Sequence, residues 1–404
     1  MLKIKLALFV IIILFAASPA FASQDENNFA VKSINNFALS SAKFFDDNKS
    51  FFFSPYSIIS ALGMTYAGAE AQTAKEFEDN LLFNKNIHET LGAFNQDLIS
   101  NLDGSNNRPL LKTANKIWLN KNLELDKNFE NILEIYYKSS AKILDFTSEP
   151  EQAKNFINKW AAEQTNNKIN NLINKITPDT QLILTNAIYF NGKWAREFSE
   201  RFTKREIFNI DKDNKLEVDM MKRRAHMYYT EQEQIKILRL PYTGRLSMIA
   251  MLPKDINLNW HIIIEKLSGN DNYKKFNSWL DELREYNVDL WLPKFKTENN
   301  FELKDILIKL GLASAFSNSA DFSGMINNKD LKLKIDNVIH KTFIDVSEKQ
   351  TEAAAATAIM MTKATAAAPR PVPKAEFHAD RPFVYFIIDD NSKAILFMGM
   401  QNFN

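Results

Sequence analysis

Residues 348–368 read EKQTEAAAATAIMMTKATAAA, a run of small residues with no Gly and no Pro, just ahead of a C-terminal hairpin. Exposed linkers carry Gly, Pro and Ser, which keep a chain solvated and flexible. Ala and Thr instead leave the backbone free to become helix or strand. At period two, Thr351, Ala353, Ala355, Thr357, Ile359 and Met361 share one face, and Glu352, Ala354, Ala356, Ala358, Met360 and Thr362 the other. A strand of this kind can slide between two strands of an existing sheet. Its leading Ala side chains displace little volume, and no residue before Pro369 lacks a ladder donor. The segment reads as built to change state.

Around it lies a chain of 404 residues, 45% hydrophobic and 25% charged, enough for an ample core in one large or two medium domains. Its start has the form of a cleavable signal peptide over residues 1–22. Lys3 and Lys5 give a basic start, Leu6 to Ala16 an apolar run, and Ala20-Phe21-Ala22 a small-x-small site before Ser23. A membrane anchor is the competing reading, but the apolar run is short for a span. The expectation is a secreted or periplasmic protein with no membrane association after cleavage, and no other segment is long and apolar enough to span. Removing Lys3 and Lys5 takes two of the 50 basic residues away and leaves 49 acidic ones, a net charge of about −1. No nucleic-acid footprint is expected, and the basic cluster Lys222-Arg223-Arg224 beside His226 reads as a solvated strand end. With no cysteine there is no disulfide, no thiolate nucleophile and no lipoprotein attachment site. Export without disulfides, in a chain rich in Asn, Lys and Ile, fits a bacterium with an AT-rich genome.

Apolar residues from Phe29 to Phe45 recur at helical spacing and predict an amphipathic helix over about 28–46. Phe51-Phe52-Phe53-Ser54-Pro55 interrupts it and starts a buried helix from Tyr56 to Ala67, stopped at Gly68. Thr73-Ala74-Lys75-Glu76 has the form of a capping box for a third helix. Helical and mixed segments follow to about residue 175. Leu182 to Phe190, LILTNAIYF, predicts a strand covered on both faces. Further strands are predicted at Ile235–Leu240, Leu246–Met251, Val288–Trp291 and Leu331–Val346, with a terminal hairpin of Phe383–Ile388 and Ala394–Met400. Helices first and strands later, without repeat or linker, give one α+β domain over residues 23–404.

The signatures of common enzymes are missing: there is no Gly-x-Ser-x-Gly elbow, phosphate-binding Gly loop, dinucleotide fingerprint or His-Glu-x-x-His pair. The five histidines, at 88, 226, 261, 340 and 378, have no spacing that puts two on one face as metal ligands. No catalytic residue, metal or cofactor is expected. A triad of Ser54 or Ser57 with His340 is the one catalytic arrangement left open.

Seven separated motifs together resemble the serpin family over essentially the whole mature chain. Phe52-Phe53-Ser54-Pro55-Tyr56-Ser57 is similar to its FFSPxS motif, and Leu184 to Trp194 to its LxNAxYFxGxW segment. Leu292-Pro293-Lys294-Phe295, and Leu310-Gly311-Leu312 followed by Ala320-Asp321-Phe322-Ser323, resemble two more. His340-Lys341, the hinge from Glu348 to Ala356, and Arg381-Pro382-Phe383 with Leu396-Phe397-Met398-Gly399 complete the series.

The resemblance implies three β-sheets with about nine helices, and an exposed reactive-centre loop over about 348–381. It implies a monomer that inhibits a target serine protease, extending to cysteine proteases, through a covalent acyl complex. The loop is cut as substrate and then inserts into the central sheet, carrying the protease with it. Ser54, Ser57, Asn186 and His340 match the family's shutter, and Trp194 its breach. The hinge comprises Glu348, Gln350, Thr351, Ala353, Ala354, Ala355 and Ala356. Gln350 departs from the family, which usually has Gly there to ease the turn. Counting along the loop as the family does places the scissile bond at Ala364-Thr365, with Lys363-Ala364 as runner-up. A small residue at that position suits elastase-like or subtilisin-like enzymes. The alternative function is a non-inhibitory member acting as a binding or chaperone-like protein.

Overall fold

The computed structural model describes residues 24–45, 49–106, 108–269, 271–349 and 372–403. The expected signal peptide lies outside the described residues, as do Gln350, Thr351, Ala353 to Ala356, Lys363, Ala364 and Thr365.

Nine α-helices occur among the described residues. The first six are α1 (Gln24–Ser41), α2 (Pro55–Tyr66), α3 (Ala71–Leu81), α4 (Ile87–Asn101), α5 (Lys127–Tyr137) and α6 (Pro150–Gln164). Three follow later: α7 (His261–Leu267), α8 (Asn272–Asp281) and α9 (Lys304–Lys309). The strands begin with β1 (Phe51–Phe53), β2 (Leu110–Asn120), β3 (Ala141–Leu144), β4 (Leu182–Asn191) and β5 (Lys204–Asn209). Then come β6 (Lys215–Gln232), β7 (Ile235–Pro241), β8 (Leu246–Pro253), β9 (Arg284–Pro293) and β10 (Phe295–Glu302). The last are β11 (Asn337–Val346), β12 (Lys374–His378), β13 (Phe383–Asp389) and β14 (Ile395–Gln401).

The strands form a five-stranded sheet, β10-β11-β4-β2-β3, and a nine-stranded network, β1-β14-β13-β8-β7-β6-β9-β12 with β5 on β6. The third expected layer is continuous with the second because β6 is 18 residues long. Its first part pairs with β5, its middle from Met220 to Tyr229 with β9, and its end from Tyr228 to Gln232 with β7.

Helix α2 is wedged between the two sheets. Ser54 caps it, accepting from Ser57 N at 3.1 Å, and Pro55 occupies the first turn, where a missing N–H costs nothing. Ile58, Ile59 and Leu62 are fully buried, each worth about 1.5–3 kcal/mol by removal from water. On β4, Leu182, Leu184 and Ile188 join the main core, while Ile183 and Ala187 pack in two smaller clusters with Ile157 and Ala161 of α6. That double coverage accounts for its unbroken apolar reading.

Two predicted features differ. The Thr73–Glu76 box does not cap α3, which starts at Ala71. Thr73 Oγ1 instead accepts from Asp321 N at 2.9 Å and Glu76 from Ser314 N at 2.8 Å, pinning a distant loop. The strand expected from Leu331 begins only at Asn337, because Asp336 turns its carboxylate onto Gln181 N and Leu182 N at 2.6 and 3.1 Å. The basic cluster lies mid-strand in β6 and is neutralised rather than free: Lys222 pairs with Glu206, Arg224 with Asp289 and His226 with Glu285. Arg223 turns inward over the Phe198 ring, 4.6 Å from its centroid, and donates to Arg196 O.

Candidate functional site

β4 and β11 lie side by side and parallel in the middle of the five-stranded sheet. Their register puts His340 opposite Asn186, and β2 puts Asn115 opposite Asn186 on the other side. A polar row thus crosses three central strands on the side facing α2. A buried polar group must find partners there, and each does.

His340 is wholly buried, and its Nε2 accepts from the backbone N–H of Ser54 at 3.0 Å. A backbone N–H can only donate, so the ring proton sits on Nδ1, which donates to Asn186 Oδ1. Burial drives the His340 pKa down to about 3, against a smaller opposing effect of the Asn186 bond, so the ring is neutral. Asn186 Nδ2 reaches Ser57 O at 2.8 Å, together with Ser57 Oγ and Asn115 Oδ1. Ser54 Oγ donates to Leu396 O of β14 at 2.7 Å, tying the network to the second sheet. Thr342 Oγ1 adds a bond to Phe52 O at 2.6 Å. Ser54, Ser57, Asn186 and His340 are therefore brought together, while Asn115 and Thr342 are members that sequence reasoning missed. Asn115 sits in a strand whose mixed pattern did not announce one.

The same geometry removes the triad. Ser54 Oγ is committed to Leu396 O, Ser57 Oγ to Asn115 Oδ1 at 3.2 Å, and His340 Nε2 to a backbone amide. Among the described residues, neither the Ser54 nor the Ser57 hydroxyl is hydrogen-bonded to the imidazole that would have to act as its base.

At one end of this parallel pair the ladder stops short. Registered pairing runs from Asn337↔Ile183 to Phe343↔Tyr189, yet β11 continues to Val346 and β4 to Asn191. Over that last stretch β11 stays paired outward to β10, up to Val346↔Phe295, and β4 stays paired outward to β2, up to Asn191↔Leu110. Two inner strand edges therefore face each other with their ladder groups unpaired to one another.

Trp194 and Glu348 sit at that end. The Trp194 ring stacks on Tyr242 with centroids 4.5 Å apart, and its Nε1 donates to Ser347 O at 2.9 Å. Phe198 N donates to Glu348 O at 3.0 Å. The Glu348 carboxylate, 6% exposed as a residue, accepts from Thr203 Oγ1 at 2.7 Å and pairs with Lys294 Nζ at 2.9 Å. Burial alone would raise its pKa, but the Thr203 and Lys294 hydrogen bonds outweigh that and hold it below the ordinary value. Both backbone and side chain thus fix the chain where the 348–368 segment begins. At the far end of the loop, β12 is an edge strand parallel to β9. Among the described residues no group of three His, Asp or Glu side chains is placed to hold a metal ion.

The family model described as serpin (serine protease inhibitor) matches residues 24–402. An uncharacterised serpin-like protein of Thermococcus kodakarensis is 36% identical over 354 residues, covering 87% of this chain and 80% of the relative. Human Serpin B3 is 35% identical over 369 residues, covering 86% of this chain and 92% of its own. A crystal structure of human thyroxine-binding globulin superposes with a TM-score of 0.79 at 29% identity, over 93% of this chain and 98% of that one. With a family match across nearly its whole length and relatives of this identity and coverage, the chain belongs to the serpin family.

Proposed function

We propose that this serpin is an exported, monomeric suicide-substrate inhibitor of serine proteases, extending to cysteine proteases. The observation that carries the reading is the pair of unpaired inner edges on β4 and β11, directly beneath the point where the small-residue segment leaves β11. The protease nucleophile attacks the Ala364 carbonyl, the Thr365 amine departs, and an ester joins Ala364 to the enzyme. Once cut, the chain from Thr351 onward is free to turn back from Glu348 and run down between β4 and β11. It would lie antiparallel to both, replacing one parallel pairing with two antiparallel ones, which are somewhat more stable per residue. The gain in ladder bonds and burial drives insertion, and the closed lower part of the sheet supplies the barrier that keeps the uncut form waiting. In this reading the shutter residues set that barrier and Glu348 with Trp194 sets where entry begins.

Ala364 suits a shallow primary pocket of elastase or subtilisin type, and Lys363 would redirect the bait to trypsin-like enzymes. A second reading, a non-inhibitory binding protein, has a specific residue in its favour: Gln350 stands where the family usually has Gly, whose backbone freedom would ease the turn that entry requires. The test is incubation of the mature protein with an elastase, a subtilisin and trypsin, followed by denaturing gels and mass spectrometry of the released C-terminal peptide. An adduct that survives boiling in detergent is expected, with the peptide beginning at Thr365. Clean cleavage by every enzyme without an adduct would refute the trap and leave the binding role.

A further inference from the structure

A cavity of about 690 Å³ lies along the outer edge of β2. Its walls include Tyr56 of α2 and Trp160 of α6, helices that cover opposite faces of the five-stranded sheet. They also include four consecutive residues of β2, Thr113 to Lys116, so the cavity wraps the strand edge and does not sit on one face.

Ladder alternation fixes what that edge offers, because successive residues of a strand turn their N–H and C=O groups to opposite sides. Asn120 N donates to Gln181 O at 2.9 Å, on the β4 side, so the even-numbered residues of β2 face β4. Leu111 N donates to Leu102 O at 2.9 Å, and Asn115 O accepts from Ser139 Oγ at 2.9 Å, so the odd-numbered residues face outward. Upstream, that outer edge is covered by the chain from Leu102 to Gly104; downstream, from Ile117, it is covered by β3. Between the two covers, the Thr113 N–H, the Thr113 C=O and the Asn115 N–H have no hydrogen-bond partner among the described residues. From Leu111 to Asn115 the gap spans four steps of about 3.3 Å, room for about three extended residues.

A cation stands at the downstream end of the gap. Lys116 is half-buried, donates from Nζ to Ser140 Oγ at 2.6 Å, and forms no ion pair among the described residues. Burial and the neighbouring Lys142 ammonium both push its pKa down, the mark of a charge short of its counter-charge. Ser140 Oγ, while accepting from Lys116, keeps its own O–H to donate. Of the acids on the α5 wall, Glu130 pairs with Lys127 at 3.4 Å, and the exposed Glu134 is offset in charge by the exposed Lys138.

We propose that this cavity takes the end of a short extended peptide, added as a strand parallel to β2 and in line with β3, with its C-terminal carboxylate on Lys116 Nζ and Ser140 Oγ. Thr113 and Asn115 supply the ladder partners, and the direction of the added strand brings its C-terminus to the cation. A chain running on past the gap is excluded, since Leu102 to Gly104 close one end and Ser139 the other. Water would satisfy the edge groups singly but would not supply the negative charge that Lys116 lacks. The volume lies within the roughly 300–1,000 Å³ of ligand sites. Peptides with a free carboxylate are what proteolysis releases, yet the site involves no part of the loop and is testable in protein that has met no protease.

The probe is N-acetyl-trialanine with a free carboxylate, beside its C-terminal amide and acetate, added to the full mature protein with amide hydrogen exchange resolved at Thr113 and Asn115. The expected result is a saturable slowing of both amides by the acid, at a dissociation constant on the order of 1 mM for so small a ligand. The amide should bind about tenfold more weakly, since it loses the charge-assisted bond to Lys116. Lys116→Met should abolish that preference and bind acid and amide alike, which a loss of packing alone would not do. Should Lys116→Met fail to fold, Ser140→Ala should weaken the acid about threefold and leave the amide unchanged. No slowing at about 20 mM peptide would overturn the inference, since an affinity weaker than that is no site. Equal affinity for acid and amide in the natural chain, a preference retained in the variants, or the same slowing with acetate alone would also overturn it.

Discussion

Lowering the pH from 7.5 to 5 is expected to weaken the native fold through two imidazoles, the buried His340 and the half-buried His88. His340 has a folded pKa of about 3 against an ordinary value of 6.5, because burial disfavours its charged form. At pH 5 the unfolded chain binds a proton on this ring and the native chain does not. The contribution is therefore fully present above about pH 6.5 and is lost as the pH falls from there towards 3. Since pH 5 lies about 1.5 units below the unfolded value, at about 1.4 kcal/mol per unit the loss is about 2 kcal/mol. His88, whose burial lowers its pKa to about 4, adds a similar loss of about 2 kcal/mol. Against a typical stability of about 5–15 kcal/mol, the two together are substantial. The measurement is urea unfolding at both pH values for the natural chain, His340→Gln and His88→Gln. Gln can occupy the same hydrogen-bonding positions without titrating, so His340→Gln should lose about 2 kcal/mol less than the natural chain on acidification, whatever its stability at pH 7.5. An identical loss in the natural chain and His340→Gln would show that burial does not hold the ring neutral in the native chain.

Glu348→Lys sets a second ammonium beside Lys294 and strips Thr203 of its acceptor, so it should cost about 1–3 kcal/mol and accelerate self-association on warming, followed on native gels. Glu348→Gln, which keeps an acceptor for Thr203, should lie between, and an unchanged melting temperature in Glu348→Lys would show that the Thr203 and Lys294 contacts do not fix the chain at Glu348. Ala354→Arg brings a long charged side chain into the inserting face; cleavage near Ala364 should persist while the detergent-stable adduct falls at least tenfold, read by densitometry. Gln350→Gly restores the freedom that the turn needs and should raise the fraction of protease trapped per inhibitor consumed; a lower fraction would assign Gln350 a helpful role instead.

The apolar run of β4 and the terminal hairpin were legible because burial on both faces leaves an unbroken hydrophobic record. Thr73 and Glu76 misled because a Thr-x-x-Glu spacing does not say which backbone it will cap, and here both side chains act on the Ser314–Asp321 loop. The shutter serines, Asn186 and His340 were found through motif resemblance, since isolated polar residues in apolar runs do not disclose who their partners are. Asn115 had no such flag. It faces Asn186 only because β2 pairs antiparallel with β4, a register fixed by the fold and not by the local pattern. Lys294 and Thr203 stayed hidden for the same reason, being far from Glu348 in sequence yet within 2.9 Å of its carboxylate.

Under the proposed trapping mechanism, the distribution of these bonds would let one sheet be both firm and able to open. His340 hangs from Ser54 N, Thr342 from Phe52 O, and Asn186 from Ser57 O, so β11 and β4 are each moored separately to α2 and the residues leading into it. Of the side-chain bonds in this network, the one between His340 Nδ1 and Asn186 Oδ1 spans the β4–β11 boundary itself. Parting the strands therefore breaks that bond and the short parallel ladder, while the moorings on α2 need only pivot. A strand entering the gap would return ladder partners to both edges. The barrier is then concentrated at a single buried hydrogen bond and its neighbouring rungs, and a substitution at Asn186 should speed opening more than one at Thr342, although both side chains are fully buried in the same network. Comparing the rates at which Asn186→Ala and Thr342→Val lose inhibitory capacity on warming separates the two roles. A faster loss in Thr342→Val would place the barrier at the mooring instead of the boundary.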